Sequence, residues 1–325
     1  MNTRRVGVSG LVVSEIALGS WLNFGATSDV SETTKVIEQA YDLGINFFDT
    51  ADVYSTGHAE EVLGRALRPI PRHQLVIATK CFFPMSERPN DRGLSRKHVF
   101  ESVDASLIRL ETDYLDLHQC HRFDPDTPVA ETVRAYDDLI RMGKVLYWGV
   151  SEWSAEQIAQ ACEIADQMGS RRPISNQPGY SIMRRDIEGA ALPECKRLGL
   201  GQFVFSPLAQ GTLTGKYCGG VIPKDSRAAD ASRGKFMGRY LEVEKLDKIE
   251  SLIPIADELG ITLPQLALAW CLRDSGISSV IVGATKPEQL DENCKASGVT
   301  LPAEVVERID QIFPAPPTRG RDPEY

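Results

Sequence analysis

The chain has 325 residues, of which 42% are apolar and 25% charged, so it can bury a large core and wholesale disorder is excluded. Its 36 Lys and Arg against 45 Asp and Glu give a formal net charge of −9, which argues against a nucleic-acid partner; a few local cations can still hold a small anion. No run approaches the ~20 apolar residues of a membrane span, and Glu15 interrupts the apolar stretch near the start, so the chain reads as cytoplasmic with no membrane insertion.

The opening RRVGVSGLVVSE predicts a hairpin over about 4–14, with VSGL as its turn, that plugs one end of the following domain. Eight short runs rich in β-branched and aromatic residues follow: 15–19, 45–50, 75–80, 114–121, 144–151, 173–177, 202–207 and 278–284. Helical periodicity occupies 31–44, 95–110, 130–143, 154–169, 188–199 and 264–274. Ser31, Ser95 and Ser154 are the expected N-caps, and Gly44, Gly143 and Gly169 the expected stops. Strands buried on both faces that alternate with helices predict parallel βα units, and eight of them favour a closed (β/α)8 barrel over an open sheet. The whole chain, 1–325, reads as one domain, with a long irregular loop at about 209–243 and an extended tail at about 314–325.

Seven cysteines without a CxxC pair predict reduced thiols rather than a disulfide framework. The pairs Glu60-Glu61 and Asp137-Asp138 read as solvated helix faces, and His58, His73 and His98 as surface or capping residues. Gly199-Leu200-Gly201 precedes a strand, so a Rossmann fingerprint is unlike it. Gly211-Thr212-Leu213-Thr214-Gly215-Lys216-Tyr217 resembles a P-loop but is one residue short, with Tyr217 where a metal-binding hydroxyl is required. It is either a Gly-rich loop or a backbone cradle for phosphate. The segment 283–290 leaves the last strand and opens the last helix, with Thr285 as N-cap and Lys286 adding charge: an ordinary capped helix or a phosphate site.

Barrel chemistry sits where strands end, and three strands here end in Asp49, Lys80 and His121, with Tyr54 in the loop after Asp49. A phenol with a pKa near 10 is a poor acid; a neighbouring ammonium stabilises its phenolate, and a carboxylate holds that ammonium in place. A histidine can orient a carbonyl oxygen, so the set suits protonation of that oxygen as hydride reaches carbon. His118 and His121 are three apart on a strand and face opposite sides, so no metal site is expected there.

These residues resemble the aldo-keto reductase superfamily over about 4–313, through the strings FFDTADVYSTGHAEEVLG, LVIATK and DYLDLHQCHRFDPDTP. The strings RGLSRKHVFESV, LYWGVSEWSAEQI, SPLAQGTLTGKY and LPQLALAWCLRDSGISSVIVGATKPEQLDEN look like its voltage-gated potassium channel beta-subunit branch and that branch's bacterial relatives. The resemblance implies NADPH, with NADH as the alternative, bound extended on the barrel, and a small carbonyl substrate reduced to an alcohol. It implies Tyr54, Asp49, Lys80 and His121 as catalytic residues. It assigns Ser151 and Gln177 to the nicotinamide, with Glu152 near the cofactor, Phe205 to stacking, and Ser206, Pro207, Leu208, Gly211, Lys216 and Arg227 to the pyrophosphate. Gly283, Thr285, Lys286 and Gln289 are implied at the 2′-phosphate ribose, Glu292 and Asn293 at adenine, and Trp21 and Phe82 at the substrate mouth. His121, where channel subunits tend to have Asn, favours catalysis; Glu152 and Gln289 depart from the usual pattern. The branch also implies a homo-oligomer, as a tetramer, and an alternative role as a cofactor-sensing regulatory subunit of a membrane partner.

Overall fold

A computed structural model describes residues 1–21, 30–224, 226–230, 234 and 237–315. Two strands, β1 (Thr3–Arg5) and β2 (Val12–Ser14), pair antiparallel, and their turn spans the six residues between them. Eight further strands close a parallel barrel: β3 (Ile16–Gly19), β4 (Phe47–Asp49), β5 (Val76–Cys81), β6 (Leu115–Cys120), β7 (Val145–Val150), β8 (Ser175–Asn176), β9 (Gly201–Phe205) and β10 (Ile277–Val282), with β10 returning to β3. Every expected strand run overlaps one of them, with β5, β9 and β10 reaching one residue beyond their runs.

The helices are α1 (Val30–Asp42), α2 (His58–Leu67), α3 (Arg96–Arg109), α4 (Val129–Arg141), α5 (Ala155–Gln167), α6 (Ala191–Leu198), α7 (Val243–Glu250), α8 (Ile253–Glu258), α9 (Leu263–Leu272), α10 (Pro287–Asn293) and α11 (Ala303–Ile312). No single helix among the described residues is long and apolar enough to cross a membrane. Ser95 accepts from the His98 N–H, and Ser154 forms a capping box with Gln157, so both expected N-caps hold. Ser31 instead lies inside α1. The segment after β10 opens α10, which is followed by α11, so it is not the last helix; its N-cap is Lys286 rather than Thr285.

Two cores result. Inside the barrel, Val6 and Val13 of the hairpin meet Ala17, Phe47, Val76, Ala78, Leu117, Phe203 and Ile281. The hairpin therefore fills the end where the strands begin, as the sequence predicts. A larger core lies between strands and helices. Strand alternation then aims the site: Phe47 and Ala78 face inward, and two residues on Asp49 and Lys80 do the same at the opposite end.

The described cysteines are all free, five of them buried. Three polar expectations fail. His98 is 2% exposed because α3 turns it onto the barrel, where burial lowers its pKa. Glu60 and Asp137 are fully buried. Glu60 accepts from Thr79 Oγ1 and from Arg109 Nε at 2.6 Å, and Asp137 from Arg141 and Arg171. Adjacent helix residues point about 100° apart, so only one acid of each pair faces solvent.

Candidate active site

The ends of the barrel strands surround a cavity of ≈ 1230 Å³. Asp49, Tyr54 and His121 line it, and Lys80 lies fully buried behind Asp49. Lys80 Nζ donates to Asp49 Oδ2 at 2.7 Å and to the Thr50 carbonyl at 2.6 Å. The second Asp49 oxygen accepts from Gln177 Nε2 at 2.8 Å. The ammonium sits 5.2 Å from the Tyr54 ring centroid. The His121 ring meets Tyr54 edge-on, with centroids 5.7 Å apart, and Phe83 at 4.9 Å.

Burial sets the protonation states. It opposes the Lys80 charge, but Asp49 and Tyr54 outweigh it and hold that pKa above the ordinary value. Burial raises Tyr54; Lys80 and Arg122 pull it down, yet burial prevails. The lowering of the phenol by Lys80 expected from sequence is therefore present as one contribution and outweighed in sum. Burial, then Lys80 and Arg122, keep His121 well below its usual value, so the imidazole is neutral. Its Nδ1 is buried with no partner among the described residues. The set is thus a neutral phenol and a neutral imidazole beside a paired ammonium, which is a proton-donating arrangement.

Asp52, on the loop between Asp49 and Tyr54, is also buried. It accepts from Ser102 Oγ at 2.9 Å, and burial together with nearby Glu60 pushes it up to about 7.

Most of the remaining expected residues share the cavity. Ser151, Gln177, Phe205, Ser206, Pro207, Leu208, Gly211, Lys216, Arg227, Gly283, Thr285, Gln289, Glu292, Asn293 and Trp21 all line it. Ser151 Oγ donates to the Gln177 carbonyl at 2.8 Å. Gln210 links Ser206 Oγ, at 2.7 Å, to Arg227. Gly211 has φ 93°, a left-handed conformation that glycine adopts without strain, and it lies beside Lys216 on the cavity wall. Six of the seven non-glycine residues with positive φ among those described line the cavity or adjoin residues that do: Ser55, Thr56, Glu152, Ser206, Ala209 and Gln210. Each left-handed residue costs about 1–2 kcal/mol, a pattern typical of sites rather than scaffolds.

Three expected residues are placed elsewhere. Glu152 does not line the cavity; its carboxylate accepts from the Gly179 N–H and from Arg184 Nη2 at 2.8 Å. Phe82 packs edge-on against Phe83, and Phe83 takes the lining position. Lys286 is exposed beside the rim, and the Gln289 carboxamide oxygen accepts from the Thr285 N–H at 2.8 Å. Residues 22–29, which follow Trp21, lie outside the described residues, as does most of the tail.

Sequence reasoning missed Arg122 and the start of α9 at Thr262, Leu263 and Pro264. The Thr262-to-Gln265 capping box was a readable signal for the last of these. Arg122 directly follows His121, and residues just past a barrel strand face the mouth whatever their parity.

Residues 15–313 match the model described as "Aldo/keto reductase family". The chain is 45% identical over 324 residues to a "Probable voltage-gated potassium channel subunit beta" of Arabidopsis thaliana, covering 98% of each chain. It is 43% identical over 320 residues to a "Putative voltage-gated potassium channel subunit beta" of Schizosaccharomyces pombe, covering 95% of this chain and 92% of that one. A barrel with this mouth and a family match across nearly its whole length lead to one conclusion: the chain belongs to the aldo/keto reductase family and is an NAD(P)H-dependent oxidoreductase.

Proposed function

We propose that the protein reduces aldehydes and ketones to alcohols with NADPH, with Tyr54 as the general acid. The observation that carries this reading is the contact set of Asp49, Tyr54 and His121 on one wall of the cavity, with Lys80 buried behind Asp49.

The residues present fit a nicotinamide dinucleotide. The cavity of ≈ 1230 Å³ exceeds the ~300–1,000 Å³ of a typical small-ligand pocket. Lys216 and Arg227 supply charge for a diphosphate beside Gly211, and Phe205 offers a flat ring. In this fit Ser151 and Gln177 hold the nicotinamide amide. Ser206, Pro207, Leu208, Gly211 and Lys216 line the pyrophosphate, with Arg227 across it. Gly283, Thr285 and Gln289 face the 2′-phosphate ribose, which the exposed Lys286 reaches by a swing of its side chain, and Glu292 and Asn293 lie near adenine. When bound, NADPH supplies the hydride for the carbonyl carbon.

Tyr54 gives its proton to the carbonyl oxygen, and Lys80 stabilises the phenolate left behind. Because burial keeps Tyr54 protonated, the acid form is fully available at neutral pH. Asp49 holds the Lys80 charge, and neutral His121 donates a hydrogen bond to the same oxygen and orients it. Tyr54→Phe should lower turnover about 10²–10⁴-fold while NADPH affinity stays near the parent value. Unchanged turnover in a single-turnover assay would contradict the assignment.

The relatives named as channel subunits favour a second reading, a cofactor-sensing regulatory subunit with vestigial chemistry. Co-purification with a membrane protein, together with negligible turnover on a broad carbonyl panel, would select it. Likeness to that branch also supports a homo-oligomer, with a tetramer as the expected state. A monomeric mass by light scattering at micromolar concentration would contradict this.

A further inference from the structure

Tyr54 stands on a short segment that α3 holds on both sides. Before Tyr54, Asp52 Oδ2 accepts from Ser102 Oγ at 2.9 Å, and the Asp52 N–H donates to the Lys80 carbonyl at 3.1 Å. After Tyr54, a Cβ on Gly57 would lie 2.8 Å from Arg109 Cδ, so the Arg109 side chain packs against the bare Gly57 backbone. Ser102 and Arg109 are two turns apart, so one face of α3 supplies both anchors. Between the anchors Ser55 and Thr56 take left-handed φ values of 50° and 51°, a conformation that persists only where the surroundings hold it.

The charges around the first anchor leave no room for a second carboxylate. Glu60 of α2 is fully buried and takes Arg109 Nε at 2.6 Å. Asp52 is buried as well, and its side-chain partner is the neutral hydroxyl of Ser102; among the described residues it has no ion pair. On β5 the titratable group facing it is the Cys81 thiol, which burial keeps protonated. Lys80 points to the other face of that strand, where Asp49 pairs with it at 2.7 Å. Burial and Glu60 therefore outweigh Ser102, the Val53 backbone and Arg109, and the Asp52 pKa is pushed up to about 7. Tyr54 lies above its ordinary value and His121 well below, so neither titrates between pH 6 and pH 8.5.

We infer that Asp52 is a positioning residue for Tyr54: its protonated carboxyl, seated on Ser102, holds the phenol at the carbonyl oxygen, and loss of that proton loosens the segment and slows the reduction. The inference deepens the reductase reading and rests on it.

The test uses the full chain, saturated with NADPH, in single-turnover reduction of 4-nitrobenzaldehyde between pH 6 and pH 8.5. The parent rate should fall about 10-fold over this range, as a small misplacement of the acid requires. In Asp52→Asn, which keeps an acceptor for Ser102 without a titratable group, the two end rates should agree within about two-fold. Ser102→Ala removes a hydroxyl that favours the ionised form, so the midpoint of the fall should move to higher pH. A parent rate that is flat over the range would overturn the inference. So would an equal fall in the parent and in Asp52→Asn, because an Asp52 that only fills space leaves the pH profile unchanged when it is replaced.

Hydrogen exchange over residues 50–57 at the same two pH values, with labelling times corrected for the intrinsic pH dependence, decides the question even without turnover. Protection that the parent shows at pH 6 and loses at pH 8.5, and that Asp52→Asn keeps at both, supports the inference. Equal protection of the parent at both values overturns it. NADPH quenching of tryptophan fluorescence is read separately, and its failure counts against the reductase reading rather than against Asp52.

Discussion

The two ends of the barrel are built from the same strands and differ in almost every physical respect. At the end where strands begin, Val6, Val13, Phe47 and Phe203 fill the interior, and the Phe47 and Phe203 rings are 4.6 Å apart. At the end where strands finish, the interior positions two residues on are Asp49, Lys80 and Phe205, around a cavity walled by left-handed backbone. One end contributes burial and the other concentrates strain and charge. The contrast teaches that stability and chemistry are separable here, and that substitutions at the two ends should fail in different ways.

The sharpest break of that contrast pairs two variants. Phe47→Ala should lower unfolding free energy by about 3–5 kcal/mol while leaving turnover per folded molecule near the parent value. Tyr54→Phe should do the reverse, with a loss of about 10²–10⁴ in turnover and little change in a urea midpoint. Similar losses of both quantities in both variants would dissolve the division.

Asp52 sharpens the comparison, because it is a buried acid of the catalytic end with a pKa pushed up to about 7 from the ordinary 3.8. Between those values the folded chain keeps a proton that the unfolded chain releases, so this group makes stability fall as pH rises. Below 3.8 both states hold the proton and the cost vanishes; above 7 it is complete, at about 4 kcal/mol. Asp52→Asn should therefore gain stability relative to the parent between pH 4 and pH 8. Urea midpoints of both proteins at the two values check this, and parallel pH profiles would contradict it.

The smallest expected effect concerns Glu152. Its partner Arg184 lies 5.9 Å from the Phe205 ring, and a Cβ on Gly179 would come within 1.9 Å of Arg184 Nη1, so glycine is required for the pair to dock. The pair backs the ring without touching the cavity. Glu152→Gln should weaken NADPH binding a few-fold by equilibrium quenching, with a smaller change in turnover; a loss of turnover at full affinity would contradict a backing role.

The barrel was legible because buried parallel strands leave short β-branched runs, and caps such as Ser154 with Gln157 mark helix starts. Asp49, Lys80 and His121 were legible because strand ends in a barrel converge. What sequence hid depends on contacts between distant segments. Glu60 looks like the solvated twin of Glu61 until Thr79 and Arg109 are seen to receive it. The turn of Glu152 away from the cavity depends on Arg184, 32 residues later. The net rise of the Tyr54 pKa depends on depth of burial, which no local pattern records.

The most direct test of the central claim is a fluorescence titration of the purified chain with NADPH and with NADH. A panel of aldehydes then follows in the same cuvette while reduced nicotinamide absorbance is recorded. The account predicts saturable quenching by NADPH and oxidation of the nicotinamide once an aldehyde is present. Saturable quenching with no oxidation on any aldehyde would contradict the reductase, and no quenching by either nucleotide would contradict the site itself.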